Sequence, residues 1–163
     1  MEELPSGYQV RVGSGLDRAL LVKFLQRTYA ERFPDGNFAH LAQTVEQYFS
    51  SETPTWWVEP IDAQPISEFP SARRHPVACL WIGNAIDQIS GERHAHVFLL
   101  YVNPDHRQKG IGSALMRYAE NWARNRGDRQ ISLQVFETNL PALTLYRSLG
   151  YRTQSLWMMK SLQ

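Results

Sequence analysis

The sharpest change of period in the chain falls between residues 94 and 122. Residues 94–102 read His-Ala-His-Val-Phe-Leu-Leu-Tyr-Val, an apolar and aromatic run with the pattern of a mostly buried strand. Asn103-Pro104-Asp105 interrupts it. Ile111, Leu115, Tyr118 and Trp122 then recur at helical spacing, with Arg117, Glu120 and Arg124 on the other face, which predicts an amphipathic helix. Upstream, residues 8–12 alternate as a short strand, Leu20, Leu21, Phe24, Leu25 and Thr28 mark a helix, and Pro34-Asp35-Gly36 is a turn. Phe38, Leu41, Val45 and Tyr48 define a second helix, and 53–59, with Trp56 and Trp57, a strand. Residues 60–76 carry Pro60, Pro65, Pro70 and Pro76 and are expected to form a long surface loop. A hairpin follows, with strands over 77–86 and 93–102 and a polar turn at 87–92. Ile131, Leu133 and Val135 alternate in a strand over 131–136, a helix opens at Asn139 and stops at Gly150, and 151–160 is expected to be the closing strand.

The strand-to-helix turn at 103–112 carries the candidate chemistry. Gly110 and Gly112 permit close approach of the backbone to a ligand, and the unpaired N–H groups of a first helical turn suit a phosphate. A Walker loop is excluded because Lys109 precedes the glycine it should follow. A dinucleotide fingerprint is excluded because Leu115 stands where a third small residue is required. Gly13-x-Gly15-x-x-Arg18 fails on the same ground and reads as a turn and helix entry.

Composition narrows the class. The 163 residues suit one domain, 43% of them hydrophobic and 20% charged, with no apolar run approaching the roughly 18 residues of a membrane span. Residues 1–5 lack the basic and apolar regions of a signal peptide, and the single cysteine, Cys79, excludes an internal disulfide, so a cytoplasmic protein is expected. Cys79 lies inside an apolar run and reads as a buried small hydrophobe, not a catalytic thiol. A net charge of +1 argues against a nucleic-acid binder with a broad basic face. The charge is nonetheless divided. Residues 105–129 hold six Lys or Arg against three acids, and residues 1–60 hold eight acids against five Lys or Arg. That division suits a polyanionic cofactor and a cationic second substrate.

Two motifs in order, Arg107-x-x-Gly110-x-Gly112 and Asn139-Leu-Pro-Ala-Leu-Thr-Leu-Tyr146-Arg-Ser-Leu-Gly150-Tyr151, resemble the coenzyme A loop and the Asn-x-x-Ala-x-x-Leu-Tyr-x-x-Leu-Gly-Phe signature of the GNAT N-acetyltransferase superfamily, with Tyr151 where Phe is usual. The resemblance covers residues 77–160 and reaches the N-terminal helices by order alone. It implies an α/β (α+β) GNAT-like fold: a mixed, mostly antiparallel twisted sheet flanked by about four helices, with a splayed strand pair forming a wedge for acetyl-CoA. It also implies one N-acetyltransferase domain over 1–163, with the cofactor-binding and catalytic core at 77–160.

Carried onto this chain, the resemblance places the pyrophosphate on Gln108, Lys109, Gly110, Ile111 and Gly112 beside Arg107. The pantetheine falls along Leu100, Tyr101 and Val102, with the Leu100 N–H facing the thioester oxygen, a donor worth about 3 kcal/mol where negative charge develops. His96 stands at the position of the base and Tyr146 at that of the general acid that protonates the leaving thiolate; Asn139 matches a cofactor-side hydrogen-bonding residue. A strand histidine is also often a hydrogen-bonded core residue, and His94, two positions away on the same face, is the second candidate base. No third ligand at recognisable spacing joins the two histidines, so no metal is expected. The implied partners are acetyl-CoA and an amine acceptor, a small molecule or a peptide, and a homodimer is common in the family. Glu31, Asp35 and Glu46 are expected to draw a cationic acceptor, with Trp56 and Trp57 as candidate cation–π partners. A non-catalytic acyl-CoA sensor and an interaction module on the same fold are the alternatives.

Overall fold

The computed structural model describes residues 3–61 and 75–163. Its centre is a five-stranded sheet in the order β1 (Tyr8–Val12), β2 (Thr55–Pro60), β3 (Ala78–Ile86), β4 (Arg93–Val102), β5 (Ile131–Leu133). Pairs up to β3–β4 are antiparallel, and β4–β5 is parallel. Four helices flank it: α1 (Arg18–Arg32), α2 (Leu41–Tyr48), α3 (Ile111–Asn125) and α4 (Leu140–Ser148). The mixed, mostly antiparallel sheet with four helices is the architecture expected from the sequence.

Strand alternation sorts the apolar residues into two layers. Trp56, Val58, Ala78, Leu80 and Ile82 pack with Ile111, Leu115, Met116 and Ala119 of α3, while Trp57, Cys79 and Trp81 pack with Leu21, Phe24 and Leu25 of α1 and Val45 of α2. Trp57 and Phe24 meet edge to face at 5.2 Å, and each fully buried side chain of this kind contributes about 2–3 kcal/mol. The adjacent tryptophans therefore serve opposite faces.

One irregularity interrupts the hairpin of β3 and β4. Leu99 pairs with Trp81 and Val97 with Ile82, so Phe98 is the extra residue of a β-bulge. Ala95 and Val97 face α3, yet Leu99 and Tyr101 face α1 and α2, because the extra residue reverses the parity of the strand. Gly83 makes room for it. A Cβ at Gly83 would lie 1.9 Å from the Phe98 ring, which stacks over that backbone and meets Trp81 at 4.8 Å.

Two expectations require correction, and a third is not tested. The strand expected over 131–136 is only Ile131–Leu133, and residues 134–139 leave the sheet. The closing strand expected over 151–160 is absent: that segment joins no sheet, and Leu156, Trp157, Met158 and Met159 are exposed. Its sequence suits a strand, but a strand forms only against a neighbour that offers matching backbone groups. The Pro-rich loop expected over 60–76 falls largely at 62–74, outside the described residues. Among the described residues, no helix is long and apolar enough to cross a membrane.

An ionic network ties β1 to the entry of α1. Arg11 donates from Nη1 and Nη2 to the two oxygens of Asp17 at 2.9 and 3.1 Å, and from Nε to Glu59 at 2.9 Å. Asp17 also accepts the Ser14 N–H at 2.7 Å in a capping box. Both carboxylates are buried, and the hydrogen bonds that Arg11 donates to Asp17, outweighing burial, raise the Arg11 pKa. Arg11→Ala removes the cation shared by two buried carboxylates; we expect a loss of about 2 kcal/mol, read as a lower urea midpoint with unchanged slope.

Candidate functional site at the open edge of β4

β5 covers only part of β4. Its three residues pair with Ala95, His96 and Val97, so among the described residues no strand lies beside the edge of β4 from Phe98 to Val102. The phase of the β3–β4 ladder decides what that edge presents. Asn103 donates its N–H to the Val77 carbonyl at 2.7 Å, so Asn103, Tyr101 and Leu99 turn their backbone groups to β3, and Leu100 and Val102 turn theirs to the open edge. Tyr101 does not: its backbone groups face β3 and its side chain is buried toward α1, so it has no access to that edge.

The open edge runs directly into the glycine turn. After the short 3₁₀ turn Pro104–His106, Arg107 is extended, Gln108 has φ 59° and Gly110 φ 90°. Gly110 is the N-cap of α3 and no side chain caps the helix. The N–H groups of Ile111, Gly112 and Ser113 belong to a first turn that has no carbonyl one turn earlier, and left-handed residues before them curl the backbone into an anion-binding concavity. Gly112 admits α4: a Cβ there would stand 3.2 Å from Leu145 Cδ2.

Arg107 is occupied otherwise than expected. Its Nη2 donates to both oxygens of Glu31 at 2.8 Å, its Nε donates to the Val102 carbonyl at 2.7 Å, and the guanidinium lies 5.6 Å from the Tyr101 ring. The Tyr101 hydroxyl donates to the same Glu31 carboxylate at 2.7 Å. Burial and that carboxylate push the Tyr101 phenol up to about 12. Glu31, expected to draw a cationic acceptor, already accepts three bonds from Arg107 and Tyr101, which offsets its charge.

His94 and His96 converge on one hydroxyl. Ser132 of β5 lies opposite His96 in the parallel register, and its Oγ is 2.9 Å from His94 Nε2 and 2.8 Å from His96 Nδ1. His94 is buried and His96 half-buried. Burial first, and the neighbouring His94 second, hold the His96 pKa below the ordinary histidine range. Its ring also meets the edge of Phe98 at 5.7 Å, so the bulge and the histidine share a wall.

Tyr146 lies on the other face of the sheet, half-buried against the α3 layer and 5.9 Å from the Tyr151 ring. Burial pushes its phenol up to about 12, so it stays protonated at neutral pH. Asn139 caps α4 through its Oδ1, which accepts the Ala142 N–H at 3.3 Å. Cys79 is fully buried and its thiol is pushed well up by desolvation, which leaves it no nucleophilic role. Among the described residues no three His, Cys, Asp or Glu side chains gather as metal ligands.

The expected acceptor side also differs in detail. Trp56 and Trp57 are buried, Trp57 beneath Phe24 and Trp56 against Trp122, so neither offers a face to a ligand. A groove of about 570 Å³ between α1 and residues 36–39 is lined by Lys23 and Arg27 with no carboxylate. Sequence reasoning missed Ser132, whose only local signal is its polar place between Ile131 and Leu133. Which face it shares with His96 depends on the β4–β5 register.

The model of the Acetyltransferase (GNAT) family matches residues 20–151. The streptothricin acetyltransferase of Streptomyces lavendulae is 48% identical over 50 residues, 31% of this chain and 26% of that protein. The chain thus spans well under half the length of the curated relatives it matches. A predicted acetyltransferase from Clostridium acetobutylicum solved with acetyl-CoA superposes with TM-score 0.72 at 18% identity, covering 95% of this chain and 96% of that one. AAC(6')-Iy, in complex with a CoA-S-monomethyl-acetylneamine bisubstrate analogue, superposes with TM-score 0.68 at 14% identity over 97% and 99% of the two chains. These two likenesses concern the fold.

A stability prediction follows from the His96 environment. The folded pKa lies below the unfolded value of about 6.5, so the unfolded chain binds the extra proton first. Stability is full above that value and is lost as pH falls toward the folded pKa. His96→Gln should flatten this part of the pH dependence, measured as the urea midpoint of both proteins between pH 5 and pH 8.

Proposed function

Since the chain belongs to the GNAT acetyltransferase family, we propose that it is an N-acetyltransferase that moves an acetyl group from acetyl-CoA to a primary amine by direct attack in a ternary complex. The observation that carries this reading is the continuity of the unpaired β4 edge with the uncapped N-terminus of α3. One element offers amide groups to a thioester arm and the next offers them to a pyrophosphate.

Bound acetyl-CoA supplies the acetyl group as an activated thioester. The chain's own residues do the rest. Leu100 directs its backbone groups to the open edge, and its N–H is the donor aimed at the negative charge that develops on the acyl oxygen. Gly110, Ile111 and Gly112 present main-chain N–H groups to the phosphates, with Gln108 and Lys109 leading the chain into that curve. Arg107 contributes by holding the turn to α1 through Glu31, and its own positive charge is shared with that carboxylate.

An amine acceptor with a pKa near 10 arrives protonated and must lose a proton before it attacks. His96 is the proposed base: its lowered pKa keeps it neutral at pH 7, and Ser132 engages Nδ1, so Nε2 is the nitrogen that takes the amine proton in the tautomer where it holds a lone pair. Tyr146, protonated throughout the neutral range, is the proposed donor to the departing thiolate. His96 and Tyr146 side chains lie against opposite faces of the sheet, and the gap where β5 stops is the passage between them. The buried Cys79 supports direct transfer over a thiol-bound acyl enzyme.

For the acceptor we propose a small amine, in keeping with the small-molecule substrate in the name of the streptothricin acetyltransferase relative. A polycation finds less support, since Glu31 is consumed and the groove beside α1 is lined by cations. The test is an amine panel of graded charge assayed for free thiol release from acetyl-CoA. No release with any amine, small or peptidic, overturns the reading.

Gly110→Asp places a charged side chain at φ 90°, 3.6 Å from Pro5, and should weaken acetyl-CoA binding at least tenfold in calorimetry while the circular dichroism spectrum stays native. Tyr146→Phe should lower kcat tenfold or more with little change in acetyl-CoA affinity. His96→Gln should remove the acidic limb of the kcat profile, which in the unmodified protein lies below pH 6.5.

A further inference from the structure

The two histidines belong to a longer chain of hydrogen bonds whose polarity can be worked out link by link. It begins at Asp87 in the turn between β3 and β4. Asp87 Oδ1 accepts the Ile89 N–H at 2.9 Å and Oδ2 accepts Ser90 Oγ at 3.0 Å, and these bonds, the backbone one first, hold its pKa low. Oδ2 also accepts Gln130 Nε2 at 3.2 Å, which fixes the amide with its nitrogen toward the carboxylate. The same nitrogen lies 3.3 Å from His94 Nδ1.

An amide nitrogen only donates, so His94 Nδ1 accepts, and the neutral ring carries its proton on Nε2. That Nε2–H donates to Ser132 Oγ. The hydroxyl, having accepted, donates its own hydrogen to His96 Nδ1. His96, accepting at Nδ1, then holds its proton on Nε2. A hydroxyl can accept twice, but among the described residues the side chains bonded to Ser132 Oγ are His94 and His96, so its hydrogen goes to His96 and the direction of the chain is set by which end of the Gln130 amide faces His94.

We propose that Ser132 is a positioning residue for His96, and that the Gln130–His94–Ser132 chain is a tautomer switch that decides whether His96 Nε2 carries a proton or a lone pair. This rests on the reading of His96 as base. In the polarity described, Nε2 carries its proton and donates. A half-turn of the Gln130 amide, which gives up its bond to Asp87 Oδ2 and requires that carboxylate to turn away, presents Oε1 to His94 and reverses each link. His94 and His96 each exchange their ring proton from Nε2 to Nδ1 through water, and the Ser132 O–H rotates from His96 to His94, with no net gain or loss of protons. His96 Nε2 then holds a lone pair and accepts the amine proton, and the resulting imidazolium donates from Nδ1 to Ser132.

The surroundings leave this chain in control. Beside His96 on β3 stands Gly83, which brings no side chain, and the ring on the helix side is Phe98 with Tyr48 of α2 behind it at 5.6 Å. Among the described residues, the titratable groups around His96 are thus His94, Asp87 through Gln130, and the Tyr48 phenol beyond Phe98.

The experiment is long-range ¹H–¹⁵N spectroscopy of the full chain above pH 8, with His96 assigned by substitution, beside the pH profile of acetyl transfer. The unmodified protein should show His96 as the Nε2–H tautomer. Gln130→Glu, which offers only acceptors to His94, should convert it to Nδ1–H and move the acidic limb of the rate profile to higher pH. Ser132→Ala should abolish that response to Gln130→Glu, and Ser132→Thr should restore it. A Nδ1–H tautomer in the unmodified protein, or a Gln130→Glu effect of equal size with and without the Ser132 hydroxyl, overturns the proposal, the second because a through-space charge would then suffice. A His96→Gln variant with full activity removes the base reading, and the tautomer spectra still decide the switch because they need no turnover.

Discussion

Backbone hydrogen bonding along β4 is the constraint on which the rest of the structure depends. On one edge the strand is satisfied by β3 over its whole length, apart from the bulge at Phe98; on the other, β5 satisfies only Ala95, His96 and Val97. Buried N–H and C=O groups without partners are costly, so an edge left open beside the core is either wet or reserved for a ligand that completes the ladder. The bulge adds a second consequence. By reversing parity at Phe98 it puts His96 and Leu99 toward the same helices, and leaves Leu100 and Val102 with side chains in the α3 layer and backbone groups at the open edge. A regular strand would not have combined these.

The charges around the glycine turn serve geometry more than affinity. Arg107 looks in the sequence like a phosphate ligand, yet its guanidinium clamps the Glu31 carboxylate, the Val102 carbonyl and the Tyr101 ring, binding α1, β4 and the turn to each other. The pair is partly exposed, so its direct worth is on the order of 1 kcal/mol or less. Its effect on position is larger, since it fixes where β4 ends and therefore where α3 begins. In the proposed reading, attraction of a phosphate then falls to the backbone N–H groups and helix dipole, which need no side chain.

Most of this was written in local patterns, and what was not has a common cause. The strand–turn–helix unit around the glycines, both family motifs, the cap at Asn139, the buried state of Cys79 and the opposite facing of Trp56 and Trp57 all follow from periods of 2 and 3.6 residues and from turn chemistry, which act within a few residues of chain. The closing strand failed because strand propensity in 151–160 says nothing about whether a partner edge is within reach. Tyr101 failed because its access depends on the phase of a ladder with β3. Glu31 and Arg107 found each other across 76 positions, and Ser132 meets His96 across 36, through a register no local pattern encodes. The sequence by itself determined the elements, their apolar faces and the phosphate turn, because these depend on neighbours along the chain. Only the tertiary structure decided which charges neutralise each other, where the sheet opens and which nitrogen of His96 is free, because each depends on hydrogen-bonding partners that folding alone brings together.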